Sequence, residues 1–221
     1  MSISGNLQKL YQQIPGNVKL VAVSKTKSED TILEAYNAGH KIFGENKIQE
    51  LVEKHKNLPK DIDWHMIGHL QTNKVKYIAP FISLIHSVDS IKLLSTINKE
   101  ALKNNRVIDC LLQLKLAKED TKFGLTFNGI KNILGSREYK EFENARIVGL
   151  MGMATYTNDK SVIKDEFTFL ADSFREIRGI FFNNSDYFRE LSMGMSDDYL
   201  IAIESGSTII RVGSIIFGAR Y

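Results

Sequence analysis

Short apolar runs alternate with amphipathic segments along the chain, and this alternation limits the possible folds more than any other feature. The runs are rich in β-branched residues and end at polar residues, which predicts buried strands. A segment with helical periodicity follows each of the first seven runs, and a terminal segment follows the last. The eight predicted strands are residues 18–23, 41–44, 63–67, 84–86, 107–114, 145–150, 187–191 and 208–212. Eight strand–helix units predict an α/β fold with a parallel sheet, closed into a single (β/α)8 TIM barrel domain over residues 1–221.

An open, doubly wound sheet is the competing architecture. It would place a glycine-rich phosphate turn after the first strand, whereas residues 24–29 read SKTKSE and contain no glycine. Neither GxGxxG nor GxxxxGK[ST] occurs in the chain. We therefore prefer the barrel, with compact loops because 221 residues is short for that fold.

Composition argues against several classes of function. The net charge is +3 with both signs interspersed, and no basic run with interleaved aromatic residues indicates nucleic-acid binding. The single cysteine, Cys110, fits a reducing compartment, so we expect a cytoplasmic protein. The N-terminal residues lack the apolar core of a signal peptide, and no run is long enough to span a bilayer, so we expect no membrane partner.

Lys25 follows the first predicted strand, at the end of the barrel where the active sites of this fold lie. Partial desolvation favours the neutral, nucleophilic form of an amine, which can form a Schiff base with an aldehyde. The competing interpretation is a solvated lysine at the end of a strand.

The ends of the seventh and eighth strands are suited to a phosphate. Ser192 and Gly194 follow the seventh strand, and Gly213 and Ser214 follow the eighth. Loops at these two positions are the common phosphate site of the fold, because helix N-termini supply unpaired N–H donors. The competing interpretation is that both glycines make tight turns. A lysine after strand one and a phosphate site after strands seven and eight predict pyridoxal 5′-phosphate (PLP) as the cofactor.

Histidines are the other candidate ligands. His65 and His69 have the i, i+4 spacing of a zinc-binding helix, but their segment is predicted to be strand and loop and contains no HExxH. His86 is predicted to be a polar residue at a strand end. We therefore expect no metal site.

Seven motifs occur in order along essentially the whole chain. They are AVSKT (22–26), FGENKIQE (43–50), WHMIGHLQTNK (64–74), DTKFG (120–124), GLMGM (149–153), LSMGMSDDY (191–199) and IRVGSIIFGARY (210–221). Together they resemble the YggS/PROSC family of pyridoxal phosphate homeostasis proteins. The resemblance implies a barrel of the alanine racemase N-terminal domain type, which is fold type III among PLP proteins.

The resemblance also implies roles for eight residues. Lys25 is similar to the Schiff-base lysine of the family, and Arg211 to the residue that faces the pyridine nitrogen. The other implied cofactor-binding residues are Asn46 and Met151 near the ring, and Ser192, Gly194, Gly213 and Ser214 around the phosphate.

Three functions remain open. The resemblance implies a PLP carrier or buffer without efficient catalysis, which affects amino acid and keto acid balance, has PLP-dependent apoenzymes as partners, and is expected to be a monomer. The alternative is a PLP-dependent amino acid racemase of low activity. That reaction needs an acid–base group on each face of the substrate carbanion, and Lys25 is the one evident candidate, since the resembled racemases take a second base from a further β-domain. The third possibility is an aldolase-like barrel enzyme whose lysine binds a sugar aldehyde.

Overall fold

Eight parallel strands close into a barrel in this computed structural model, which describes residues 2–116 and 123–218. The strands are β1 (Lys19–Val23), β2 (Ile42–Glu45), β3 (Asp63–Met66), β4 (Leu84–Val88), β5 (Ile108–Gln113), β6 (Ala145–Met151), β7 (Glu190–Ser192) and β8 (Ile209–Val212). Each strand pairs with its neighbour in sequence, and β1 pairs with β8 in the register that places Val21 beside Arg211. The predicted fold class is confirmed.

Helices connect the strands of the barrel. They are α1 (Ile3–Gln13), α2 (Glu29–Asn37), α3 (Ile48–Asn57), α4 (Val75–Ile78), α5 (Ile91–Lys103), α6 (Phe127–Gly135), α7 (Arg137–Lys140), α8 (Lys160–Phe181), α9 (Tyr199–Glu204) and α10 (Ser214–Phe217), and a 3-10 helix covers Thr72–Lys74. Hydroxyl side chains begin several of them: Ser28 caps α2, Ser90 caps α5 and Thr126 caps α6. Each hydroxyl accepts from a helix N–H group that would otherwise lack a partner. Within the two described ranges, no helix is both long enough and apolar enough to cross a membrane.

Apolar side chains form two clusters, because successive side chains of a strand point to opposite faces. The larger cluster packs the helices against the outside of the barrel and includes the fully buried rings of Phe43, Trp64 and Phe167. The smaller cluster lies inside the barrel and consists of Val21, Leu84, Leu111, Val148, Met151 and Ile209. The barrel interior is therefore only partly apolar, which leaves positions for polar side chains beneath the C-terminal mouth.

The seventh strand differs from the sequence prediction. β7 begins at Glu190 and has three residues, whereas the sequence predicts a strand over residues 187–191. Phe188 is fully buried and stacks on Phe174 and Phe182, with ring centroids 4.9 and 4.2 Å apart. The aromatic residues of this segment thus pack with α8 and the loop that follows it, which is why burial there does not mark a strand. The short helix α7 is not predicted by the sequence pattern either.

Candidate functional site

A cavity of about 280 Å³ opens at the C-terminal ends of β1 and β8. Four of the predicted site residues line it, namely Lys25, Arg211, Gly213 and Ser214. The rest of its lining consists of Val23, Lys27, Tyr156, Met195, Ser196, Asp197 and Gly218. The cavity thus combines an amine, a guanidinium and a glycine-containing loop at the end of the barrel where this fold places its active sites.

Lys25 lies on a turn whose main chain is constrained on both sides. The residue is half-buried, and the preceding Ser24 N–H donates to the Gly44 carbonyl at 3.0 Å, which continues the pairing of β1 with β2. Thr26 has a φ of 65°, in the left-handed region that β-branched residues rarely adopt. Lys27 N–H donates to the Ser24 carbonyl at 3.0 Å, so the turn closes around the lysine.

Polar side chains, three of them buried, hold this turn, and we name Ser24, Glu45, Glu50 and Lys54 the Lys54 cluster; Glu50 is the partly exposed member. Lys54 Nζ donates to the Ser24 carbonyl and to Glu45 Oε1, both at 2.8 Å. It also donates to Glu50 Oε1 at 2.6 Å, and that oxygen accepts from Thr26 N–H at 2.6 Å. Ser24 Oγ donates to Glu45 Oε1 at 2.6 Å. Both chain neighbours of the cavity lysine are therefore connected to one ammonium group.

Burial of the charged groups of the Lys54 cluster has an electrostatic cost. Burial raises the pKa of Glu45, and the neighbouring Lys54 opposes this effect without cancelling it. A buried ion pair of this kind adds little net stability, but removal of one partner leaves an uncompensated buried charge. The cluster is therefore best understood as a device that fixes the turn.

The loop after β8 presents main-chain donors at the cavity. Gly213 N–H lies 3.3 Å from Ser196 Oγ, to which it donates, and α10 begins at Ser214. The first N–H groups of a helix have no intrahelical acceptor and are available to an anion. A Cβ atom on Gly213 would lie 3.1 Å from the Val23 carbonyl oxygen, which is tighter than an ordinary contact. The glycine therefore allows this loop to approach β1 closely.

Ser192 and Gly194 lie outside the lining of the cavity. Gly194 has a φ of 96°, and a Cβ atom there would lie 2.6 Å from Ala202 Cβ. Its carbonyl accepts from Arg211 N–H at 2.9 Å. Ser192 is fully buried, with its hydroxyl group inside the barrel beneath the same arginine. Gly194 thus makes the turn that brings Ser196 to the cavity, and Ser192 supports Arg211 from below.

Arg211 reaches the cavity from the barrel interior. Nη1 donates to Ser192 Oγ at 2.5 Å, and Nη2 donates to the Gly152 carbonyl at 3.0 Å. Burial lowers the pKa of Arg211 to about 10, and the nearby Asp198 carboxylate acts in the opposite direction. The guanidinium is therefore still charged at neutral pH.

Asn46 and Met151 lie at the ends of β2 and β6 and do not line the cavity. Asn46 Oδ1 is buried, and among the described residues it has no hydrogen-bond partner. Buried polar atoms without partners are uncommon in folded proteins, and a donor on a bound ligand would supply one. Met151 is the last residue of β6 and is fully buried in the interior cluster.

The two histidines with zinc-like spacing have separate surroundings. His65 lies on β3, inside the barrel, with its Nδ1 3.0 Å from His86 Nε2. His69 lies on the loop after β3, stacks on Phe123 and has its Nδ1 3.3 Å from Asp89. Among the residues that the structure describes, no three His, Cys, Asp or Glu side chains are grouped so that they could hold a metal ion.

Ser196 and the Lys54 cluster are parts of the site that the sequence analysis did not single out. Ser196 lies within the LSMGMSDDY motif, but the position of its hydroxyl depends on the turn at Gly194. Glu50 and Lys54 have the i, i+4 spacing that is typical of an exposed helix pair, and this spacing gives no sign of burial. Residues 120–122 of the DTKFG motif, which include Lys122, and residues 219–221 lie outside the described residues.

Several proteins of known name are similar in sequence to this chain along nearly its whole length. The family described as alanine racemase, N-terminal domain, matches residues 2–221. A pyridoxal phosphate homeostasis protein of Aquifex aeolicus is 39% identical over 204 residues, which cover 91% of this chain and 87% of the relative. The mouse protein of the same name is 40% identical over 220 residues, which cover 91% of this chain and 77% of the relative. This chain belongs to the pyridoxal phosphate homeostasis protein family.

Solved structures agree with this membership, which confirms the family that the motifs resemble. PipY of Synechococcus elongatus with PLP bound has a TM-score of 0.88 and 33% identity, covering 98% of this chain and all of that one. An alanine racemase from E. faecalis has a TM-score of 0.75 and 16% identity, covering 99% of this chain but 58% of that one. At that identity the likeness to the racemase shows a shared fold alone.

Proposed function

We propose that the cavity beside Lys25 holds PLP and that this protein takes part in PLP homeostasis as a carrier or buffer. The observation that carries the proposal is the convergence of an amine, a buried guanidinium and a loop of main-chain donors on one cavity. Relatives at this level of identity are named for PLP homeostasis, and the PipY structure is described with PLP bound. When bound, PLP supplies an aldehyde and a conjugated ring that acts as an electron sink.

The residues present fit this group. Lys25 Nζ provides the amine for the Schiff base. The N–H group of Ser214 and that of Gly213, which in this structure donates to Ser196 Oγ, bind the phosphate. Asn46 Oδ1, which has no hydrogen-bond partner among the described residues, can accept from a ligand donor, and Arg211 faces the ring. The remaining proposed cofactor-binding residues, Met151, Ser192 and Gly194, shape the site from the ends of β6 and β7.

Arg211 is one physical reason to propose binding without efficient catalysis. Its guanidinium is a charged donor with no acceptor, so it opposes protonation of a ring nitrogen by like-charge repulsion and weakens the ring as an electron sink. Racemisation also requires an acid–base group opposite Lys25. Tyr156 lines the cavity, but its side chain is 90% exposed, so packing does not fix its hydroxyl.

The proposal extends to the role of the protein in the cell. We propose that PLP-dependent apoenzymes receive the cofactor, and that the protein acts in the cytoplasm as a monomeric, single-domain barrel. The thiol of Cys110 is free and buried, which suits a reducing compartment. Reactivation of a PLP-dependent apoenzyme by the loaded protein, compared with free PLP at the same concentration, measures the transfer.

Borohydride reduction of the PLP-loaded protein tests the assignment of Lys25. Hydride addition to the C=N bond at Lys25 Nζ makes the attachment permanent, so peptide mapping should place the pyridoxyl mass on Lys25. Lys25→Ala should lose this label, whereas Lys27→Ala, at a second lysine of the same cavity, should keep it. A label found mainly on Lys27, Lys74 or Lys122 would contradict the assignment, and a protein that stays colourless with PLP would favour the aldolase-like alternative.

Exchange of the α-proton separates the carrier from the racemase. We expect alanine and serine, incubated with the loaded protein in deuterated water, to exchange their α-protons far more slowly than the roughly one per second of ordinary enzymes. Proton NMR of the amino acids measures the rate. Exchange at enzyme-like rates that disappears in Lys25→Ala would establish the racemase instead.

A further inference from the structure

We propose that His86 and His65 are positioning residues that hold Arg211 in the cofactor cavity from inside the barrel. The inference deepens the proposed function and rests on it, because Arg211 lines the cavity assigned to PLP. We name Arg211, Ser192, His86 and His65 the barrel chain.

The barrel chain is a continuous row of hydrogen bonds that links four strands. Arg211 on β8 donates to Ser192 Oγ on β7 at 2.5 Å. Ser192 Oγ lies 3.0 Å from His86 Nδ1 on β4, and His86 Nε2 lies 3.0 Å from His65 Nδ1 on β3. Since β4 and β7 are not neighbours, these bonds cross the interior. His65 in turn lines a second cavity, of about 260 Å³, at the N-terminal mouth of the barrel. The barrel chain therefore extends from one mouth of the barrel to the other.

The guanidinium and the buried Ser192 hydroxyl together give the direction of each hydrogen bond. Arginine has donors and no acceptor, so Ser192 Oγ accepts from Arg211. In the described part of the chain Ser192 Oγ has one other partner, His86 Nδ1, and the buried hydroxyl proton has an acceptor only if it is donated there. His86 then carries its own proton on Nε2 and donates it to His65 Nδ1. The Nε2–H tautomer follows for both histidines.

Both imidazoles are neutral in this arrangement. Each ring is buried, and burial lowers the pKa of His65 to about 3 and that of His86 well below its ordinary value. A second proton on His86 would occupy Nδ1, remove the acceptor from Ser192 and place a positive charge near Arg211. The hydrogen-bond geometry of the barrel chain and its burial therefore both require neutral imidazoles.

Such support matters because a long arginine side chain has many rotamers to lose. Ser192 Oγ and the Gly152 carbonyl hold the guanidinium at two points. The carboxylate of Asp198 is engaged by Met195 N–H at 2.5 Å. Two neutral acceptors thus keep the charged group directed at the cavity, and the histidines order one of them, Ser192 Oγ.

Two substitutions at His86 test the inference. His86→Leu removes both ring nitrogens, whereas His86→Asn restores one acceptor because Asn Oδ1 takes the place of Nδ1. We expect His86→Leu to raise the Kd for PLP about tenfold, since the buried Ser192 hydroxyl loses its acceptor, and to shift the absorption maximum of the bound cofactor. His86→Asn should bind PLP within about threefold of the wild type, because the hydrogen bond to Ser192 is kept.

The matched control is Ile85→Ala, at the preceding residue of β4, which is fully buried but packs in the outer cluster. It should lower the unfolding temperature without changing the Kd or the absorption maximum. The inference is overturned if His86→Leu binds PLP as the wild type does, or if His86→Leu and His86→Asn are equally impaired.

Nitrogen-15 NMR of the histidine rings in the ligand-free wild type provides a readout that requires neither PLP nor a folded variant. Nδ1 of both His86 and His65 should be unprotonated and both Nε2 protonated at neutral pH, and a proton on His86 Nδ1 would overturn the inference. A wild type that binds no PLP overturns the proposed function and this inference together. Wild-type binding that is insensitive to His86→Leu overturns the positioning role alone.

Discussion

The two sides of the cofactor cavity are built in different ways. On the β1–β2 side, Lys25 is presented by a turn whose neighbouring residues are bonded to the buried Lys54 cluster. On the β7–β8 side, the part of the wall that we assign to the phosphate is the main chain of the loop at Gly213, where the Ser214 side chain is small and exposed. Arg211 is buried on the same side and is held by Ser192 Oγ. The turn at Lys25 thus depends on charged side chains, and the loop at Gly213 depends on the path of the backbone.

The difference follows from what each side has to hold. A covalent bond requires one amine in one place, and the left-handed conformation at Thr26 persists because strong, charge-assisted hydrogen bonds maintain it. A phosphate has several equivalent acceptor oxygens, and main-chain N–H groups match them without any particular side chain. We therefore expect the turn at Lys25 to be sensitive to charge and the loop at Gly213 to be sensitive to volume.

Removal of the Lys54 charge should have the largest effect. Lys54→Met keeps a long side chain but leaves Glu45 buried without its cation, and burial already raises the pKa of that carboxyl. We expect the free energy of unfolding, measured by urea titration at neutral pH, to fall by about 3–5 kcal/mol. Labelling of Lys25 by PLP and borohydride should weaken as the turn loses its support.

Lys56→Met is the matched control for this change, because Lys56 lies on the same helix and is exposed. Its free energy of unfolding should differ from the wild type by less than about 0.5 kcal/mol. The double variant Lys54→Met/Glu45→Gln removes both buried charges and should recover part of the loss. A Lys54→Met protein as stable as the Lys56→Met control would show that the turn does not depend on the cluster.

In the loop at Gly213, side-chain volume is the property to change. Gly213→Val places a side chain where a single Cβ atom already lies 3.1 Å from the Val23 carbonyl oxygen. We expect the Kd for PLP, measured by absorbance titration, to rise at least tenfold, or about 1.4 kcal/mol, because the loop moves away from β1. Ser214→Ala keeps the main-chain donors and should change the Kd by less than about threefold, the scale of one net hydrogen bond.

Gly16→Val is a suitable control for the general effect of replacing a glycine, since a Cβ atom at Gly16 would meet no heavy atom within 4 Å. It should leave the Kd unchanged. If Ser214→Ala weakened binding more than Gly213→Val, the loop at Gly213 would depend on a side chain after all, and its contrast with the turn at Lys25 would be lost.

The first strand and the helix after it illustrate why the fold could be predicted from the sequence. The apolar run that predicts a strand over 18–23 corresponds to Lys19–Val23, and Ser28 accepts from Thr31 N–H as an N-cap residue does. The signal for β7 is displaced, since the strand predicted over 187–191 overlaps β7 only at Glu190 and Leu191. Two of the three residues of β7 are polar: Glu190 pairs with Lys19 at 2.5 Å, and Ser192 belongs to the barrel chain.

The site could be anticipated only where a strand end coincides with the wall of the cavity, as at Lys25 and Gly213. Ser192, at the end of β7, shows what the sequence pattern does not contain. The alternation of side chains along a strand does not indicate how deep in the barrel a residue lies. Its partner His86 is 106 positions away in the sequence. Contacts at that separation are made by barrel closure and leave no pattern in either segment, and the same is true of Lys54 and Ser24, which are 30 positions apart.

Acid should distinguish the barrel chain, which supports the β7–β8 side, from the Lys54 cluster. The pKa of His65 is 6.5 in the ordinary case and about 3 in the folded protein. Below that ordinary value the unfolded chain binds a proton that the folded protein does not, so stability falls as the pH falls. Glu45 acts in the opposite direction, because its raised pKa lets the folded protein bind the proton first.

The last prediction concerns the contribution of one histidine to this slope. Between about pH 7.5 and about pH 5.5, His65 should lower the free energy of unfolding by about 1.4 kcal/mol. His65→Asn, whose Oδ1 can still accept from His86 Nε2–H, should remove that part of the decline in urea titrations at the two pH values. His86 should still contribute, so a smaller slope remains. An undiminished slope in His65→Asn would mean that the folded protein binds a proton at this position as readily as the unfolded chain does.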